Sequence, residues 1–102
     1  MKTYRVVFSP EAEAQLTQLY RTIAREASPD IALSFTSAII DTCESLDRMP
    51  LRGAARGDIR PGLRTLSFRR RVLIAYAVGK DTMTILGVFH GGQDFEALLR
   101  EG

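Results

Sequence analysis

Two serine–proline pairs, Ser9-Pro10 and Ser28-Pro29, constrain this chain more than any other feature. In each, the serine hydroxyl can cap the first free amides of a helix. The proline suits the first helical position because it has no amide to leave unpaired. Glu11 and Glu13 follow the first pair, where the positive end of the helix dipole favours them. Leu16, Leu19, Tyr20, Ile23 and Ala27 then recur at spacings of three and four, which predicts an amphipathic helix to about Ala27. The second start follows with almost no linker, so the two helices must fold back as a hairpin. Ile31, Phe35, Ala38, Ile39, Leu46 and Met49 form the second helix's apolar stripe, which Met49-Pro50 ends. Leu33 and Ile40 lie on its other side, either to pack on the first helix or to await another protein.

The rest of the chain reads as strands. Residues 3–8, TYRVVF, alternate with Tyr4, Val6 and Phe8 on one face. The segments RTLSF (64–68), VLIAYAV (72–78) and MTILGVF (83–89) are separated by turns at Arg69 to Arg71 and at Gly79-Lys80-Asp81, which predicts a β-meander. VLIAYAV is apolar on both faces and should be central. After Gly91-Gly92, a tight exit from the last strand, Asp94 can cap a short helical tail carrying Phe95, Leu98 and Leu99. The expectation is a single α+β domain over residues 1–102. It has two layers: a helical hairpin on a mainly antiparallel four-stranded sheet, in the order βααβββ, with a short C-terminal helical tail.

Composition narrows the class. With 45% hydrophobic and 25% charged residues the chain is that of an ordinary globular protein. No segment reaches the roughly 18 consecutive apolar residues of a membrane span, and the N-terminal apolar run is too short for a secretory signal, so the cytoplasm is expected. A lone Cys43 cannot form an internal disulfide and reads as a small buried apolar residue. One cysteine and one histidine make no soft-metal cluster, so neither metal nor cofactor is expected.

Charge is unevenly distributed. Residues 48–71 carry eight arginines against the single acid Asp58, a net +7, leaving −5 for the remainder of a chain whose total is +2. Arginine's planar fork matches carboxylates and phosphates bidentately, so an anionic partner is implied, either an acidic protein or a nucleic acid. Arg48, Arg52, Arg56, Arg60 and Arg64 are spaced by four, but Pro50, Gly53, Gly57, Pro61 and Gly62 make a helix there implausible, so this is a basic loop. One of these arginines can pair with Asp58. Arg69-Arg70-Arg71 can bind an anion or simply be a solvated turn that discourages edge aggregation. Tyr4, Tyr20 and Tyr76 sit on apolar stripes and read as core with the hydroxyl at the margin.

The order of elements, together with several short motifs, resembles the RelE/ParE superfamily of bacterial type II toxin–antitoxin toxins, and the ParE branch more than RelE. The motifs are the strand into Ser9-Pro10-Glu11-Ala12, the break at Ser28-Pro29, the helix end Leu46 to Pro50 and the run Asp58 to Arg64. To these add Ile74-Ala75-Tyr76 and the stretch Ile85 to Asp94. The resemblance implies a noncatalytic toxin that inhibits DNA gyrase and growth, of the kind that stabilises plasmids. It also implies an acidic ParD-like antitoxin whose C-terminal segment wraps the toxin in a hetero-oligomer, with no sequence-specific nucleic-acid binding by the toxin. For that contact we assign Arg52, Arg56, Arg60, Arg64, Arg69, Arg70 and Arg71 to electrostatics, and Leu16, Leu19, Ile23, Leu33 and Ile40 to helix docking.

Two alternatives stay open. One is a RelE-like ribosome-dependent mRNA endoribonuclease with His90 as acid or base and Arg64, Arg70 and Arg71 holding phosphate. Against it, Leu73 stands where such an enzyme wants a basic side chain, Gly91 and Gly92 stand where it wants arginine, and no tyrosine follows His90. A lone histidine without an acid partner is usually structural, and His90 can bond Asp94 or the loop backbone. The other alternative is an inactive homologue that acts only within the antitoxin complex.

Overall fold

The structure, a computed structural model, describes residues 3–91 and 93–101, so the expectation for Gly92 lies outside the described residues. The elements are β1 (Arg5–Phe8), α1 (Pro10–Glu26), α2 (Pro29–Ser45), β2 (Ala54–Ala55), β3 (Leu63–Phe68), β4 (Val72–Val78), β5 (Thr82–His90) and α3 (Phe95–Glu101). Both serine caps form. Ser9 Oγ accepts from the Ala12 amide and Ser28 Oγ from the Ile31 amide, each at 3.1 Å, with proline next in both helices. The Ala27 amide closes α1 on the Ile23 carbonyl, and the chain reverses at once into α2.

Four of the five strands pair antiparallel in the order β1-β5-β4-β3-β2, while β1 lies parallel to β5. The sheet is therefore mixed and five-stranded, not four-stranded. The additional strand, Ala54–Ala55, lies within the basic loop and pairs with Thr65 and Arg64; two residues are too few to leave an alternating pattern. β4 is central, as its two-faced apolarity requires.

Helix α2 ends at Ser45, four residues before Met49. The amides of Leu46, Asp47 and Met49 bond carbonyls three residues back, so the chain tightens as it approaches Pro50, which disfavours a helical Met49. Met49 is consequently exposed and not part of the core. So is Ile31, which sits in the first turn of α2 beside an open cleft.

The two faces of the sheet carry two cores. On one face Phe68, Val72, Ile74, Tyr76, Met83, Ile85 and Val88 pack against Ala12, Leu19, Ile39, Cys43 and Leu46 of the helical hairpin region. Each such large apolar side chain contributes about 1.5–3 kcal/mol by leaving water. On the other face Leu63, Ala75 and Phe89 pack with Leu99 of α3, so the helical tail begins a third layer.

A bulge on β5 decides which residues face which core. Ala75 opposes Gly87 and Tyr76 opposes Ile85, leaving Leu86 without a cross-strand partner. Its carbonyl accepts from Ser9 Oγ, and the Val88 amide donates to Gln15 Oε1 at 2.7 Å. Strict alternation from Met83 and Ile85 would aim Phe89 at the hairpin; the extra residue instead aims Val88 there and Phe89 at α3. His90, opposite Val72, thereby comes to the hairpin side.

Candidate functional site

The arginines separate into two groups. Arg56 makes a two-pronged pair with Asp58, both contacts at 3.0 Å, reaches Glu96 of α3 at 3.0 Å, and lies over the Phe95 ring at 5.7 Å. This guanidinium holds the Asp58 carboxyl below its ordinary value of 3.8. Arg60 donates to the Leu99 carbonyl at 2.6 Å, a cation on the negative end of α3. Arg64 donates to the carbonyls of Leu51 (3.2 Å) and Gly53 (2.6 Å). These three are half-buried and bind the basic loop to itself and to the tail.

Tyr76 completes that loop. It is fully buried, its hydroxyl accepts from the Gly53 amide at 2.8 Å and donates to the Pro50 carbonyl at 2.9 Å. The hydroxyl is thus an internal clamp and not at the core margin. Its signal is a tyrosine mid-way along an otherwise aliphatic central strand, where a polar atom must find a partner.

Arg52, Arg69, Arg70 and Arg71 are exposed, and none makes an ion pair among the described residues. Arg69 lies over Phe68 (4.9 Å) and Phe35 (5.7 Å), two rings that meet edge-on. Arg69 and Arg70 hold φ of 50° and 59°, the left-handed region that L-residues avoid at a cost of about 1–2 kcal/mol each. The Arg71 amide closes the turn on the Phe68 carbonyl.

This turn and the end of β5 border two hollows. A cleft of about 590 Å³ lies on the hairpin side, floored by Leu19, Ile23, Ile31 and Phe35. A hollow of about 310 Å³ lies on the other face, between Leu73, Phe89 and Phe95. Arg70, Arg71 and His90 line both. The His90 amide donates to Gln93 Oε1 at 2.8 Å and Asp94 caps α3 by accepting from the Ala97 amide; among the described residues the His90 ring bonds neither Asp94 nor the loop backbone. Arg64 lies four residues along β3 from Phe68, roughly 13 Å away by strand rise, and does not join this cluster.

Of the residues assigned to helix docking, Leu19 is buried, and Leu16 and Ile23 are half-buried against the same core. Leu33 and Ile40 face solvent, 59% and 36% exposed, and belong to neither core, so they do not serve as hairpin contacts. Leu73 is half-buried in the second core with Phe89 and Leu99, so that face of the central strand is apolar.

Comparison with known proteins fits this architecture. A sequence model described as the ParE toxin of the type II toxin-antitoxin system, parDE, matches residues 6–95. This chain belongs to the ParE toxin family. No curated relative matches it. Among solved structures it is similar to a chain of the chromosomal ParDE TA system from P. aeruginosa, with TM-score 0.76 and 24% identity. That match covers 86% of this chain and 96% of the other, which at this identity speaks for the fold. ParE family membership places the hairpin, the mixed sheet and the arginine turn in a toxin scaffold. Among the described residues no helix is long and apolar enough to cross a membrane, and no group of metal-ligating side chains occurs.

Proposed function

We propose that this chain is a ParE-type inhibitor of DNA gyrase, acting in the cytoplasm as a binding protein without chemistry of its own, and neutralised by an acidic antitoxin of the ParD kind. The observation that carries this reading is the match to the ParE toxin family over residues 6–95. Two features support it. The sheet face around Leu73 and Phe89 is apolar and offers no proton donor or acceptor at Leu73. The unpaired turn arginines suit an acidic protein partner.

The rival endoribonuclease reading draws on one observation, the meeting of His90, Arg70 and Arg71 around one cleft. Purified gyrase separates the two. Stoichiometric protein should inhibit supercoiling, and His90→Ala should leave that inhibition in place. Unaffected supercoiling, together with codon-position cleavage of ribosome-bound mRNA that disappears in His90→Ala, would replace the inhibitor with the nuclease.

A further inference from the structure

The two hollows at the end of the sheet lie on its opposite faces. Leu19 and Ile23 border only the first and pack in or against the hairpin core; Leu73 and Phe89 border only the second and pack in or against the core under α3. Arg70, Arg71, Val72, His90 and Gly91 border both. They form the ridge of a saddle with an apolar hollow on either flank. The fold does not occupy these cations: Arg70 and Arg71 have neither an ion pair nor a ring contact among the described residues, unlike Arg56 and Arg69. Arg70 is also held at φ 59° in a turn where glycine would sit without strain.

We infer that this saddle seats one extended acidic peptide segment that crosses the end of the sheet. Its carboxylates meet Arg70 and Arg71, and apolar side chains on either side of them enter the cleft by Ile23, Ile31 and Phe35 and the hollow by Leu73 and Phe95. An extended chain has the periodicity for this, because side chains two apart share a face, so two carboxylates and the apolar side chains two positions before and after them all turn toward the saddle. Guanidinium forks match carboxylates in pairs. A nucleic acid fits less well. The cleft is floored by aliphatic Leu19, Ile23 and Ile31, and its one phenyl ring, Phe35, is covered by Arg69, so it gives a base little to stack on. This inference rests on the proposed reading in that its partner is a protein, and it specifies where that partner's acidic segment lies.

Fluorescence anisotropy tests it with three labelled probes of equal charge: an alternating peptide in which leucine, glutamate, glutamate and leucine alternate with serine, a glutamate-only peptide, and a single-stranded RNA. The alternating peptide should bind at least about tenfold tighter than the glutamate-only one, the least that burying one of its two leucines supplies. R70E/R71E should weaken it by about a hundredfold, whereas K80E, an exposed cation in the β4–β5 turn at the other end of β4, should change it by less than about twofold. Arg70→Gly should bind more weakly while melting no lower than the wild type, which separates binding from folding. Equal binding of the two peptides, RNA binding as tight as the alternating peptide, or full binding by R70E/R71E would each overturn the saddle. A ParD-type antitoxin supplies a second arm. Retention by the wild type and release by R70E/R71E supports both proposals. Equal retention by the two removes the saddle and leaves the antitoxin reading standing. Binding of the alternating peptide without binding of the antitoxin does the reverse.

Discussion

The basic loop and the β3–β4 turn use the same residue in opposite ways. Arg56, Arg60 and Arg64 each end on a carboxylate or carbonyl of their own chain, and through them a glycine- and proline-rich loop is fastened to β3 and to α3. Arg70 and Arg71 end in solvent, on a backbone whose left-handed residues include Arg70 itself. An arginine-rich segment is therefore not one functional surface. A cation with intramolecular partners is part of the fold, and a cation left without them on a strained turn is available to something else.

The comparison breaks most severely where the loop is clamped. A Cβ at Gly53 would lie 2.7 Å from the Thr65 carbonyl and 2.8 Å from the Tyr76 hydroxyl, and backbone cannot yield there. Gly53→Ala should cost about 3 kcal/mol in urea titration. If it is tolerated, the clamp does not organise the loop. Arg60→Met removes a charge-assisted bond to the Leu99 carbonyl and should cost about 1.5 kcal/mol, with hydrogen exchange rising first in α3. Uniform exchange would detach Arg60 from the tail.

Relief of strain gives a smaller effect of opposite sign. Arg70→Gly should stabilise by about 0.5–1 kcal/mol, since the left-handed penalty exceeds the entropy glycine adds to the unfolded chain. A destabilised variant would mean that Arg70 is fastened to the fold after all. Smallest is the pH effect. Arg56 lowers the Asp58 carboxyl below 3.8, so the pair's contribution is fully present above that value and is lost as pH falls through the depressed folded value. Arg56→Gln should therefore flatten the loss of thermal stability below about pH 4 and change little at neutrality. An unchanged acid limb would show that the pair adds nothing.

Much of this was legible in the sequence. The Ser-Pro pairs gave the hairpin because caps and proline act locally, and the two-faced β4 announced its central place. The pairing of Arg56 with Asp58 was open to inference from two residues' separation. Other features depended on contacts across the sheet. Ala54–Ala55 becomes a strand only because Thr65 and Arg64 pass beside it, and Arg60 finds α3 only through the fold. The β5 bulge had a local sign, Gly87 in a strand interior, but which face Phe89 and His90 would take depended on Gln15 and Ser9. The turn arginines looked like the loop arginines because a sequence displays charge and not partners.

The most direct test of this division is to compare the urea midpoints of two charge-matched double variants, R56Q/R60Q and R70Q/R71Q. Each removes two positive charges from the same basic region. The loop variant should unfold at clearly lower urea than the wild type, and the turn variant at the wild-type midpoint. Equal midpoints, or a turn variant that is the less stable, would contradict the claim that the fold holds the first pair and leaves the second free.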